Sequence, residues 1–155
     1  MSIFLRDNKD QARITLLYDA IYFNHFEIFK ILLSHPDIDV NLVDTTNNKT
    51  PLMWCCGYPY DGHSYSRDAL LDLILKHPDL DATAKPKCGY TCIWMVCKEG
   101  LNLPLKRLIA SGVDLGDVEH ELCEDDRAYP IPTGLCTARE IALRKGHAWI
   151  AKFFP

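Results

Sequence analysis

Residues 15–33 read TLLYDAIYFNHFEIFKILL, and the chain repeats nearly the same phrase three more times. The echoes are TPLMWCC from Thr50, leading to ALLDLILKHPDLD; TCIWMVCKEGLNLPLKRLIASGVD from Thr91; and TAREIALRKGHAWIAKFF from Thr137. In the first copy Leu16, Leu17, Ala20 and Ile21 recur at i, i+1, i+4 and i+5, the apolar stripe of an amphipathic helix. Asn24-His25 interrupts the stripe. Phe26, Ile28, Phe29, Ile31, Leu32 and Leu33 then predict a second, more apolar helix that cannot run past Pro36. Gly100 and Gly112 end the two helices of the third copy, and Gly146-His147 separates those of the fourth. A recurring helix pair is the signature of a stacked repeat protein. One pair cannot bury its own apolar face, but the next pair covers it.

The four threonines are spaced by 35, 41 and 46 residues. Thr15 to Leu33 and Thr91 to Ile109 are equal intervals, so the helix pair has constant length and the excess lies in loops, which tolerate insertion. The expected organisation is one all-α domain over 1–155, with units at 8–43, 44–84, 85–115 and 133–155 and insertions at 57–67 and 116–132. Threonine at each helix start is suited to capping free backbone N–H groups, and Pro51 suits a first helical turn. Polar residues from Asp7 to Arg13 give the first unit a water-facing edge, while Trp149, Ile150, Phe153 and Phe154 are expected to pack back onto the third unit.

Thr50-Pro51-Leu52, Gly146-His147 with its near match Asn24-His25, an apolar triplet closing the second helix, and Asp39-Val40-Asn41 after it occur in a shared order. In that order the chain resembles the ankyrin repeat family, over roughly residues 10–155. The third and fourth units depart from the pattern, with Thr91-Cys92-Ile93 and Thr137-Ala138-Arg139 in place of the Thr-Pro-Leu triplet. The resemblance implies a solenoid of about four stacked helix-turn-helix units that binds a partner protein through loop tips and the concave face of the first helices. On this chain those places hold Asn47 and Lys49, Lys87 and Tyr90, then Tyr22-Phe23, Tyr58, Lys98-Glu99 and Arg144-Lys145. It also makes Asn41, after Leu33 and Asp39-Val40, similar to segments that asparaginyl hydroxylases modify; the plainer expectation is that Asn41 bonds its own loop.

The first insertion holds Tyr58, Tyr60, Tyr65, His63 and Arg67 beside turn-forming residues. Tyrosine and arginine concentrate binding energy because they combine contact area with polar handles. Two readings stand: a recognition surface, or a satellite core folded over the helix pair. The second insertion is acidic, from Asp114 to Asp126, with Leu115, Val118 and Leu122 at helical spacing and a Pro-stiffened return at Tyr129-Pro130-Ile131-Pro132. An acidic run of this kind reads as a solvated face.

Hydrophobic residues make up 48% of the 155 and charged residues 25%, a globular balance, and the net charge of −4 lacks the concentrated basic face that nucleic acid requires. No window reaches the ~18 apolar residues of a membrane span. The start MSIFLRDNKDQ lacks the apolar core of a secretion signal, so the cytoplasm is the expected compartment and the seven cysteines are expected to be free thiols. Cys55, Cys56 and Cys97 fall where small packing residues belong. Cys88, Cys92, Cys123 and Cys136 are expected in loops or at a helix start, where a metal- or redox-responsive module is the alternative reading. His35-Pro36-Asp37 and His77-Pro78-Asp79 repeat, which points to structure rather than catalysis. No nucleophile elbow, phosphate loop, dinucleotide fingerprint or zinc-protease motif is present. The sequence therefore predicts a non-catalytic binding module, monomeric on its own, with no cofactor: a scaffold, adaptor, inhibitor or effector.

Overall fold

The structure, a computed structural model, describes residues 16–44, 48–57, 67–86, 89–116 and 136–154. Helix α1 covers 16–22, and α2 spans Phe26–Leu33, α3 Pro51–Cys55, α4 Asp68–Ile74, α5 Cys92–Glu99, α6 Asn102–Ser111 and α7 Ala138–Arg144; a 3-10 turn follows at Ile150–Phe153. Among the described residues there is no strand; Asp44 and Lys49 form an isolated antiparallel bridge.

The helices start where threonine supplies a cap. Thr50 Oγ1 accepts from the Met53 N–H at 3.3 Å and Thr91 Oγ1 from the Trp94 N–H at 3.4 Å. Thr137 makes a full capping box: its Oγ1 accepts from the Glu140 N–H at 3.2 Å while the Glu140 carboxylate accepts from the Thr137 N–H at 2.9 Å. Thr15 lies outside the described residues. Both α5 and α6 end on left-handed glycines, Gly100 at φ 68° and Gly112 at φ 71°, as their sequence positions predict.

Helices α3, α5 and α7 pack side by side in chain order, as do α2, α4 and α6, and within the pairs α3 meets α4, α5 meets α6, and α7 meets the 3-10 turn. The first pair joins the second through Tyr18, whose ring lies edge-on to Trp54 with centroids 5.8 Å apart. Leu17, Ile21, Phe29, Leu52, Met53, Leu70, Leu71, Ile93, Trp94, Leu105, Ile141 and Ile150 belong to one continuous buried cluster. Ile150 and Phe154 are buried and Trp149 packs against the cluster, so the apolar C-terminal end folds back as the sequence predicts, with Phe153 left partly exposed. On the polar side, Arg107 of α6 makes ion pairs with Asp68, at 3.7 Å, and Asp72 of α4.

The turns after the second helices are copies of one another. His35 Nδ1 accepts from the Asp37 N–H and His77 Nδ1 from the Asp79 N–H, each at 3.2 Å. Two residues further on, Asp39 accepts from the Asn41 N–H and Asp81 from the Thr83 N–H, and Asp114 repeats the bond to the Gly116 N–H, all at 2.9 Å. Asn41 does not bond its own loop with its side chain, as expected from sequence, but reaches the next unit. Its amide Nδ2 donates to the Asp79 carbonyl at 2.7 Å and its Oδ1 accepts from the Asp81 N–H at 2.8 Å. The reason is stacking: the following turn presents a free carbonyl and a free N–H at the spacing an amide bridges.

Candidate functional site

Among the described residues the most exposed aromatic ring stands at the end of α1. Phe23 is 59% exposed. Tyr22 lies edge-on to it at a centroid distance of 5.0 Å, and His25 is 5.9 Å away on its other side. Asn24, in the left-handed conformation at φ 55°, turns the chain there between α1 and α2. Leu16 of α1 and Phe26, Ile28 and Ile31 of α2 are also exposed, Ile31 at 67%. The sequence marks α2 as the more apolar helix of its pair, yet only Phe29 and Leu33 are buried in it. Helix α4 packs against it, Leu32 is half-buried against the core, and Phe26, Ile28 and Ile31 stay exposed.

Other residues expected at the surface are inside. Lys49 is 3% exposed and Tyr90 4%, and the Lys49 ammonium meets the Tyr90 hydroxyl. Tyr90 in turn stacks on Trp94 at 4.9 Å, and the buried Lys98 ammonium lies 5.4 Å from the Trp94 ring and 5.8 Å from the Tyr90 ring. Two lysine stems thus pack along one aromatic pair, hydrocarbon against ring and cation toward the π face. The loop that carries Lys49 is held down from below. The Tyr18 hydroxyl donates to the Lys49 carbonyl at 2.7 Å, with Leu42 O at 3.0 Å, and accepts from the Asp44 N–H at 3.0 Å. Arg67 is likewise buried, its Nε donating to the Ile21 carbonyl at 3.1 Å and so capping the C-terminal end of α1 from the neighbouring pair. Lys49, Arg67, Tyr90 and Lys98 are therefore framework residues, contrary to the expectation that they line a surface. Glu99 is half-buried and Arg144 and Lys145 are exposed, while Asn47, Tyr58, Tyr60, Tyr65 and Lys87 lie outside the described residues.

Cys55, Cys56 and Cys97 are buried at packing positions, as expected. Cys92 stands at a helix start, as expected, being the first residue of α5, and Cys136 lies just before the Thr137 cap of α7; both are buried, and the Trp94 Nε1 donates to the Cys136 carbonyl at 3.0 Å. Cys88 and Cys123 lie outside the described residues, and among the described residues no three His, Cys, Asp or Glu side chains converge as metal ligands would.

Burial pushes the Cys97 thiol up to about 12 and raises Cys55 and the Tyr18 phenol further; a hydrogen bond with Cys56, then burial, raises Cys92. A low thiol pKa makes a nucleophile, and these shifts run the other way. They also fix a pH response. The neutral forms are favoured in the folded state, whereas in the unfolded chain the thiols ionise near 9 and the phenol near 10. Their stabilisation is complete below those values and is lost as pH rises through them, at roughly 1 kcal/mol per pH unit for each group. The urea midpoint is expected to fall steadily from pH 8.5 to 10.5, with a shallower fall in Cys97→Ala. A midpoint that stays level over that range would contradict the burial of these groups.

No helix among the described residues is long and apolar enough to cross a membrane. No curated protein matches the chain. A family model described as Ankyrin repeat matches residues 13–45, the stretch that contains α1, α2, the first His-Pro-Asp turn and Asp39-Val40-Asn41. Residues 13–45 thus match the ankyrin repeat, a finding consistent with a divergent ankyrin-repeat protein.

Proposed function

We propose that this chain is a non-catalytic protein–protein interaction module, a solenoid of about four stacked ankyrin units that engages one partner protein. Ankyrin repeats generally mediate protein–protein contact, and the observation that carries the reading here is the exposed Phe23 ring at the end of α1, with the half-buried Tyr22 edge-on to it. Large exposed apolar side chains cost nothing to desolvate when a partner covers them, and aromatic ones supply contact area with little rotamer entropy. We assign Glu99 and Arg144 to the same binding surface, together with Tyr58, Tyr60, Tyr65 and Lys87, which lie outside the described residues. Lys49, Arg67, Tyr90 and Lys98 serve it indirectly, by packing in the framework that holds the end of α1. In this reading the protein is a monomer until it meets its partner, needs no cofactor, binds neither nucleic acid nor membrane, and works in the cytoplasm as a scaffold, adaptor or inhibitor, or as an effector.

The test compares affinity capture from native cell extract by the wild-type chain and by Phe23→Ser. Phe23 is exposed, so the substitution is expected to leave the melting temperature within about 2 °C. Hot-spot aromatics cost about 2 kcal/mol or more on truncation, so the specifically retained protein should drop at least tenfold. Equal capture by both forms would remove the α1 end from the binding surface.

A further inference from the structure

Cys56 caps the C-terminus of α3, and Cys92 is the first residue of α5. The two are 36 positions apart in sequence and belong to successive helix pairs, yet their sulfurs are in contact at 3.4 Å, enclosed in the continuous core. Core cysteines pack well as small hydrophobes and have no need of one another. Here the two thiols are within hydrogen-bond distance of one another, across the seam where α3 lies against α5.

We infer that Cys56 and Cys92 are a disulfide-forming pair, a covalent modification site that joins the second helix pair to the third when a peroxide is the oxidant. A disulfide needs its sulfurs about 2.0 Å apart, so closure calls for an approach of about 1.4 Å shared between two Cβ–Sγ swings. The chemistry balances with peroxide alone. One thiol, as its thiolate, attacks a peroxide oxygen and becomes a sulfenic acid, the departing oxygen leaving as water once protonated. The second sulfur then attacks the sulfenic sulfur, the S–S bond forms, and the hydroxyl leaves as a second water. Two thiols and one hydrogen peroxide give one disulfide and two waters, with both sulfurs oxidised and both peroxide oxygens reduced.

Oxidation of this pair proceeds from a locally opened state. Both residues are buried, and hydrogen bonding and burial hold Cys92 in its thiol form. The opening required is small, because α3 is only five residues long and Cys56 is its terminal cap. Short helix ends open at far lower free energy than the whole fold. The disulfide, once formed, closes a long loop in the unfolded chain and so stabilises the folded one. This inference stands apart from the proposed binding surface, since it concerns the seam and not the exterior.

The experiment exposes the folded full-length chain to hydrogen peroxide in modest excess, quenches with acid, blocks remaining thiols and measures intact mass and a non-reducing peptide map. The expected product carries two fewer blocking groups than the reduced chain and, those apart, is about 2 Da lighter, with the Cys56 and Cys92 peptides linked. Its urea midpoint should rise by roughly 1 M or more and return on reduction. Cys56→Ala and Cys92→Ala should each abolish the linked product. The map of the wild-type chain decides the matter even where a variant folds poorly. A different cysteine pair in the linked peptides, or oxygen addition to Cys56 or Cys92 in place of the link, would overturn the inference, and so would complete retention of both thiols.

Discussion

Trp94→Ala is expected to lower folding stability by about 3–5 kcal/mol, enough to bring a domain of this size close to its unfolding threshold at room temperature. Trp94 is the largest fully buried side chain, 1% exposed, on a helix flanked by α3 on one side and α7 on the other. Its loss removes three different contributions. The cavity is that of an indole in a core packed too tightly to collapse into it. The stack on Tyr90 at 4.9 Å goes, and with it the surface against which Lys49 and Lys98 lay their stems. The indole Nε1 no longer donates to the Cys136 carbonyl at 3.0 Å, the bond that ties α5 to the chain entering α7. Trp94→Phe separates these effects, since it keeps the ring and the stack but not the donor. Its expected cost is about 1–2 kcal/mol. Both values come from urea denaturation followed by far-ultraviolet circular dichroism, because Trp54 and Trp149 complicate fluorescence. A loss below about 1 kcal/mol for Trp94→Ala would mean that α5 is not the packing centre described above.

The same cluster explains what the sequence could and could not disclose. Each unit's local grammar was legible. The threonine caps at Thr50, Thr91 and Thr137, the glycine stops at Gly100 and Gly112, and the paired His-Pro-Asp turns are short-range arrangements within a few residues of one another. What lies between units was not. Lys49 is a loop residue by position in its unit, yet it is buried and its ammonium meets Tyr90, 41 residues later. Arg67 stands at the edge of a Tyr-rich insertion, yet its partner is the Ile21 carbonyl, 46 residues earlier. Exposure of Ile28 and Ile31 has the same origin in reverse. Helical periodicity identifies apolar positions but not whether a neighbouring helix covers them, and α2 is covered by α4 on one side. One signal was readable and went unused. Asp39, Asp81 and Asp114 each stand two residues before the N–H they bind, so the turn repeats in three units where the sequence reading took only Asp39-Val40-Asn41.

Glycine at 100 is required twice over, and the two requirements can be measured apart. Its φ of +68° lies in the left-handed region, where an L side chain costs about 1 kcal/mol. A Cβ built there would also stand 2.5–2.8 Å from three atoms of the His147 imidazole, nearer than carbon atoms approach in real structures. His147 begins the turn between α7 and the 3-10 helix, so its ring rests on the preceding unit's glycine and sets how closely α7 can approach α5. Gly112 supplies the control: at φ +71° it carries the same backbone penalty, with nothing within 4 Å of its Cβ position. Gly112→Ala is therefore expected to cost about 1 kcal/mol. Gly100→Ala should cost about 2–3 kcal/mol, the excess being the displacement of the imidazole and the loosening of α7 on α5. If that is the cause, Gly100→Ala combined with His147→Ala will be less destabilised than the two single losses added together, because the methyl then enters the space the ring has left. Additive losses, or equal costs at Gly100 and Gly112, would show that the imidazole swings aside freely and that the close approach of the two units does not depend on it.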